Sequence, residues 1–577
     1  MGRTESADRI PVWLAQARSI LSSHLRYLPF ILLSAGAFVV LARVFLSRLT
    51  YPLDLEWMEG GTLTHALRLA RGERLYAQPS VDFVSFLYTP LYPAVLAGLS
   101  KVFGLSYVLG RAVSILSFSG ALVFLVAAVR GVARQQGSEE LRAVATTAGL
   151  LGAAAVCVAF PFCGAFYDLV RGDSLWLLLV SAGAYSSSPG RSTRWIVLGA
   201  LLLAFAFFTK QTAAPFVVAA AVSVASTSGI RLGRLFSAVA FGSTTAAVLA
   251  GQYLTDGWLW IYIYRLHQSH ETSFRRMWLE TPYIVLEYAV VLLVPVAACL
   301  VFVALRRRLS LRLFHWACMA ATGLATAAVG SATEGAYDNA YIPAVYFGAL
   351  LSAACAVELS ALAAGLGASR DGSAWSTGDG RSPRAGSPRV VGLLGLGLLS
   401  AHVVVRWMDA SPHVPTPQDR AEARRLLAYL EEQRPEIFVP CHPFYSVLAG
   451  GRGHLHVMGI NDVYFWPRTI TSDPARDAAI KEPLRSSVMG SFKSRRWRLV
   501  IQDDCPTARL FGLNAYYRRV EDLARSGRSP RSLAGFPCAP SSVWVPRDDV
   551  QSLTAVTSTE PEPSPGSRTR AGSGWPP

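Results

Sequence analysis

Tyr51-Pro-Leu-Asp-Leu-Glu-Trp-Met-Glu-Gly60 holds three carboxylates, Asp54, Glu56 and Glu59, within six positions. It follows directly on the apolar run 28–47, and a bilayer crossing takes about 20 predominantly apolar residues. An acidic loop placed immediately behind a spanning helix reads as a loop held at the lipid surface. In an extended segment residues two apart point the same way, so Asp54 and Glu56 face one site. Carboxylates in that position act as a general base or bind a hard cation such as Mg²⁺, Mn²⁺ or Ca²⁺. They equally suit an acidic loop that solvates the membrane edge. Glu59, ahead of Gly60-Gly61, also suits the first turn of a helix.

Composition supports the membrane reading. Of 577 residues, 52% are hydrophobic and 16% charged, against about 25% charged in an ordinary soluble domain. Mean hydropathy is +0.34. The net charge of +16 would suit a nucleic-acid partner. Its basic residues, however, cluster in short loops between apolar runs, as membrane orientation requires, and nucleic-acid binding is set aside. The apolar run behind Arg9, Arg18 and Arg26 is too long for a signal-peptide core and reads as a first transmembrane helix. Eight cysteines occur without C-x-x-C spacing, which argues against a zinc or redox motif.

Working outward from the acidic loop, eleven apolar segments read as spans: 28–47, 108–129, 143–162, 173–188, 195–209, 213–229, 235–254, 284–305, 313–331, 341–364 and 389–407. Lys210 and Gln211 interrupt the stretch holding the fifth and sixth. Basic residues precede the first span (Arg18, Arg26). They follow the second (Arg130, Arg134, Arg142), fourth (Arg191, Arg194), sixth (Arg231, Arg234), eighth (Arg306, Arg307, Arg308, Arg312) and tenth (Arg370, Arg381, Arg384, Arg389). With eleven spans all of these fall on one side, so the N-terminus 1–27 is expected in the cytoplasm and the C-terminal part outside. The acids lie in the opposite loops, 48–107, 163–172, 255–283 and 332–340. Within the first outer loop, Tyr88–Phe103 is apolar but short, and reads as a helix lying in the interface with its tyrosines at headgroup level.

Residues 366–388, rich in Gly, Ser and Arg, read as a flexible inner loop. After Trp407 the composition turns polar. Arg420–Gln433 has helical periodicity, Ile437–Pro440 reads as a strand, and Trp497–Gln502 reads as another, closed by Asp503-Asp504. Strand, helix and strand predict a small α/β domain over 410–550. Residues 551–577 lack the apolar content for a core and are expected to be disordered.

Four further stretches sit on the expected outer side. In Tyr167-Asp-Leu-Val-Arg-Gly-Asp-Ser174, Asp173 either caps a helix or serves a site. Arg171 there opposes the orientation rule and suits bidentate phosphate binding. In Phe207-Phe-Thr-Lys-Gln-Thr212, Lys210 is an ionisable group between apolar runs, either snorkelling or contacting phosphate. In 255–283, His267 and His270 share a helical face but lack further zinc ligands, and Arg275 and Arg276 suit phosphate contacts or a surface pair. In Glu334-Gly-Ala-Tyr-Asp-Asn-Ala-Tyr-Ile-Pro343, Asp338 and Asn339 either contact a sugar or cation, or cap the next span.

The sequence resembles the GT-C fold glycosyltransferases, near the protein O-mannosyltransferases and lipid A aminoarabinose transferases. The resemblance covers roughly residues 28–350. It rests on Asp54-Leu-Glu56, Gly72-Glu-Arg-Leu-Tyr76, Tyr88-Thr-Pro-Leu-Tyr92, Gly110-Arg111, Arg171-Gly-Asp173 and Thr209-Lys-Gln211. It implies a polytopic α-helical membrane protein with a GT-C-like transmembrane part, residues 28–409; the soluble C-terminal α/β domain, expected in the periplasm, is specific to a subset of the family. Such a protein would sit in the inner membrane and move a sugar from a polyprenyl-phosphate donor to a lipid, polysaccharide or protein acceptor. A divalent cation often assists. Carried over, Asp54 would be the catalytic base or a metal-linked acid, with Glu56 or Glu59 as its partner. Asp173 would be the second acid and metal ligand, and Arg171 and Lys210 would hold the donor phosphate. Glu59, Tyr88, Tyr92, Asp338 and Asn339 complete the expected substrate-binding set. The family's first-loop acids are often adjacent, whereas Leu55 separates them here. Two rival readings are a flippase or transporter of lipid-linked sugars and a non-catalytic subunit of an envelope polysaccharide assembly system. A transporter calls for repeated halves and polar groups near the midplane, whereas the polar groups here gather at one face.

Overall fold

The computed structural model describes residues 25–133, 139–306, 310–364, 388–467, 469–505, 508 and 510–547. The tail 551–577, all but the last residue of 366–388, and residues 1–24 lie outside the described residues. Each apolar run folds as helix. In chain order these are α1 (Leu28–Leu49), α2 (Glu59–Ala70), α3 (Leu91–Phe103), α4 (Tyr107–Ala133), α5 (Glu139–Val158), α6 (Asp173–Ser186) and α7 (Thr193–Thr209). They continue as α8 (Ala214–Ser228), α9 (Ile230–Leu254), α10 (Thr281–Tyr288), α11 (Val290–Arg306), α12 (Leu311–Ala332), α13 (Ile342–Ala363) and α14 (Pro388–Val405).

This is a multi-pass membrane protein. Among the described residues six helices are long and apolar enough to cross a bilayer: α1, α4, α5, α9, α12, and α13 with the turn before it. A seventh arises if the segments 276–288 and 290–305, bent by 92° from each other, make one broken span. Helices thus stand at all eleven expected places, but α6, α7, α8 and α14 are shorter than a full crossing. At 1.5 Å per residue, the 14 residues of α6 span roughly 21 Å of a hydrocarbon core about 30 Å thick. The interruption at Lys210 is real. Its backbone is extended (φ −158°, ψ 130°), ending α7 before a 3₁₀ turn at Gln211–Ala213. Helix α3 has 13 residues, too few to cross. It buries Tyr92, Pro93, Leu96 and Ala97 on one face and leaves Val102 and Phe103 exposed at its end.

The acidic loop is held by buried charges. Arg111 of α4 is fully enclosed and grips Glu59 with Nε at 3.1 Å and Nη2 at 2.7 Å. Its remaining donors go to the carbonyls of Arg48 (3.0 Å), Tyr51 (2.6 Å) and Leu53 (2.6 Å). Glu59 also accepts the N–H groups of Leu55 (2.6 Å) and Val170 (2.8 Å). One Arg–Glu pair therefore ties the end of α1, the loop, α2, α4 and the 163–172 connection together. A second pair, Arg48–Asp168 at 3.0 Å, lies beside it with both side chains buried. Gly110 lets the connection come this close: a Cβ there would stand 2.5 Å from Val170 Cγ1. Glu59, expected among the substrate-binding residues, is fully buried with both oxygens occupied, and it belongs to the frame instead.

The C-terminal part carries α15 (Pro417–Gln433), β1 (Ile437–Phe438), α16 (Pro443–Leu448), α17 (Pro474–Lys493), β2 (Leu499–Asp503), β3 (Tyr517–Asp522) and β4 (Pro540–Pro546). A capping box between Thr416 and Asp419 opens α15. The sheet order is β1-β2-β4-β3, with β1 parallel to β2 and the other pairs antiparallel. The two expected strands are present, although the first is only Ile437–Phe438, and two antiparallel strands extend the sheet. Cys505 and Cys538 form a disulfide. This part packs directly on the first loop. Leu533 and Ala534 both donate to the Leu55 carbonyl at 3.0 Å, and Gly535 donates to Gly164 at 3.0 Å. Trp57, Val84 and Phe86 of the loop share one hydrophobic core with Phe438, Val457 and Val500.

Candidate active site

Two cavities flank the acidic loop. The first lies between α2, the start of α3, the 171–173 turn and the break at Lys210. Its walls are largely apolar, with Met58, Leu75, Phe86, Tyr92 and Pro93, and Arg171, Asp173 and Lys210 project from one side. The break at Lys210 frees its side chain from the helix and delivers Nζ to Asp173 Oδ1 at 2.7 Å. Asn339 Nδ2 donates to the same oxygen at 3.0 Å, and Arg171 Nε faces the other at 3.6 Å. Arg171 reaches further: Nη1 to Glu56 Oε2 at 3.2 Å and Nη2 to the Tyr88 hydroxyl at 3.2 Å. Two cations and two carboxylates thus form one chain, Lys210–Asp173–Arg171–Glu56, along the cavity wall.

Glu56 ends that chain and opens on the second cleft, with Asp54, Trp57, His442, Tyr445, Arg531 and Ser532. Burial pushes the Glu56 carboxyl up to about 7, with Arg171 opposing and Glu59 adding to the rise. The Glu56–Arg171 pair is therefore a wall common to both cavities: its cation lines the first and its carboxylate the second. Gly535 closes over it, its φ of +61° a left-handed conformation and its absent Cβ 2.5 Å from Glu56 Cγ.

Asp54 does not join Asp173 and Lys210. It lines the second cleft, where Oδ2 meets His442 Nδ1 at 2.6 Å. The other ring nitrogen, Nε2, meets Asp503 Oδ2 at 2.8 Å. Burial pushes the imidazole pKa down, but Asp503 and Asp54 outweigh it and hold the ring protonated to about 10. Asp54 and Asp173, the two expected cation ligands, stand in separate cavities. Each carboxylate already faces a cation of the protein. Among the described residues no group of three or more His, Cys, Asp or Glu is set to hold a metal ion. The residues do not fit a shared cation, and no step below passes through one.

Of the other expected residues, Tyr88 lines the first cavity. The Tyr92 ring does too, while its hydroxyl turns away to Gly110 O (3.0 Å) and Ser114 Oγ (2.9 Å). Asn339 hydrogen-bonds Asp173 and does not itself line the first cavity. Asp338 is half-buried outside the cavity lining. His270 faces Asp462 at 3.7 Å, and the exposed Arg275 pairs with Glu280 at 3.0 Å, both away from the cavities. His442, Tyr445 and Asp503 were not expected from sequence. One signal existed: His442 follows β1 and Asp503 ends β2. Two parallel strands bring their carboxyl ends together, where open α/β sheets place their sites.

The fold and site together describe a helical membrane scaffold whose first connecting loop is packed between a largely apolar cavity and a C-terminal sheet. No family model matches the chain, and no curated protein matches it in sequence. It is similar to two crystal structures of ArnT from Cupriavidus metallidurans, one bound to undecaprenyl phosphate (14% identity, TM-score 0.45) and one in the apo state (13%, 0.44). Each comparison covers 89% of this chain and 97% of the other.

Proposed function

We propose that the protein is a membrane glycosyltransferase that moves a sugar from a polyprenyl-phosphate donor in the first cavity to an acceptor hydroxyl presented in the second cleft. The observation that carries this reading is the shared Glu56–Arg171 wall. An apolar cavity edged by Arg171 and Lys210 suits a lipid tail ending in phosphate. A carboxylate buried across the wall, poised near neutrality, suits a general base. The acceptor oxygen attacks the anomeric carbon, its proton passes to Glu56, and the bond from carbon to phosphate oxygen breaks. The electron pair leaves with the polyprenyl phosphate, whose charge Arg171 and Lys210 receive. Leaving-group protonation is not needed, because the departing phosphate is a stable anion. Attack from the face opposite the phosphate inverts the anomeric centre.

We read the eleven helical positions as eleven crossings, with α10 and α11 together as one, the short α6, α7, α8 and α14 completed by the turns that flank them, and the N-terminus in the cytoplasm. The alternation of basic loops supports this. The Cys505–Cys538 disulfide supports an oxidising compartment for the C-terminal part, outside the inner membrane.

The test is to incubate purified protein with a panel of polyprenyl-phosphate sugars and candidate acceptors. Acceptor-dependent release of polyprenyl phosphate is expected. Transbilayer movement of the intact lipid-linked sugar without release would identify a flippase and end the proposal. Lys210→Met is expected to lower kcat/KM about 10²-fold, since a charge-assisted hydrogen bond to phosphate is lost and Asp173 faces the donor less compensated. Unchanged donor KM and kcat in that variant would remove Lys210 from the phosphate site.

A further inference from the structure

The transfer step gives no role to His442, buried beside the acidic loop. His442 lies 388 positions from Asp54 and 61 from Asp503, yet bonds both, at 2.6 and 2.8 Å. The Tyr445 ring stacks on it at a centroid distance of 4.7 Å and an angle of 6°. The Tyr445 hydroxyl accepts the Asp54 N–H at 3.3 Å. The imidazole has a carboxylate on each nitrogen and an aromatic face against its own, so its position is fixed from three sides. Asp54 is thereby fixed too, by side chain and backbone. Next along the chain, the Leu55 carbonyl accepts from Leu533 and Ala534 at 3.0 Å, and the Trp57 carbonyl meets His456 Nε2 at 3.0 Å. Glu56 lies between these anchors.

We infer that His442 is a positioning residue for the transfer: clamped between Asp54 and Asp503, it sets the acidic loop so that Glu56 stands between the two cavities, with Asp54 as the anchor of the clamp. The inference rests on the proposed reading of the site. It gives the C-terminal sheet a share in the reaction geometry, because Asp503 ends β2 and His442 follows β1. It also moves the base from Asp54 to Glu56.

The experiment uses the full-length purified protein, with donor KM and kcat measured separately. A misplacement of about 1 Å at a reacting group costs on the order of 10²-fold. His442→Gln is therefore expected to lower kcat at least about thirtyfold, with donor KM within about twofold, because neither Arg171 nor Lys210 touches the clamp. Asp54→Ala should fall equally far. Asp54→Asn keeps an oxygen to accept the Nδ1 hydrogen and should recover at least about tenfold of that loss. The double variant H442Q/D54A should be no slower than either single one. If H442Q yields no monodisperse protein, Asp503→Ala serves in its place, with the same split between kcat and KM. A kcat within twofold of wild type for H442Q or D503A overturns the inference. So does Asp54→Asn as inactive as Asp54→Ala, which would return the chemistry to the Asp54 carboxylate. Wild-type protein that releases no polyprenyl phosphate overturns the transferase reading itself and is told apart by that control.

Discussion

Glu56→Gln lowers kcat by about 10²–10⁴-fold, the range that general base catalysis supplies, while the protein inserts, folds and binds donor as before. The amide fills the same volume and still accepts from Arg171 Nη1 and the Met58 N–H, which both meet Oε2. What it loses is the capacity to take a proton. Wild-type kcat should rise with pH through about 7, because burial lifts the Glu56 carboxyl to that value and only its ionised form is a base. The sign follows directly: below 7 the group carries its proton and cannot accept another, and above 7 it can. The Gln variant should lose this limb altogether. Full activity in Glu56→Gln, or a wild-type rate that falls as pH rises from 6 to 8, would remove Glu56 from the chemistry.

Arg111→Met costs the fold about 3–5 kcal/mol, the expected penalty for breaking a buried ion pair from one side. Marginal stability of about 5–15 kcal/mol makes that a large share of the total. Glu59 would keep two backbone N–H donors but lose its counter-ion at full burial, and the carbonyls of Arg48, Tyr51 and Leu53 would lose the guanidinium N–H groups they accept. Arg111→Lys should lie between, since an ammonium restores the charge but not the fork that reaches Glu59 and three carbonyls together. Pairing Arg111→Met with Glu59→Gln should recover part of the loss, because the uncompensated charge is then gone. Thermal unfolding in detergent measures all three. An Arg111→Met protein as stable as wild type would show that the acidic loop is held by packing alone.

The first-loop acids show where sequence reading stops. Asp54, Glu56 and Glu59 look equivalent in the chain, and alternation predicts that Asp54 and Glu56 face one site. They do share the second cleft, but each is committed to a different cation, Asp54 to His442 and Glu56 to Arg171. Glu59 turns away to Arg111. Which carboxylate meets which cation depends on residues 52 to 388 positions away, and local spacing carries no record of that. Lys210 stood out in the sequence as a charge between apolar runs, and Arg171 as an arginine on the side the orientation rule keeps free of them. His442 was not singled out, although it follows the first expected strand, because the carboxylates that mark it lie 61 and 388 positions away.

Hydrophobic run length and the placement of basic loops are properties of the chain alone, since lipid and water sort side chains regardless of partners. They determined that this is a multi-pass helical membrane protein with an acidic loop behind its first helix. The assignment of roles within that loop was decided by tertiary structure. A buried carboxylate takes its behaviour from the charge packed against it, and folding alone brings residues 56 and 171, or 54, 442 and 503, within hydrogen-bonding distance.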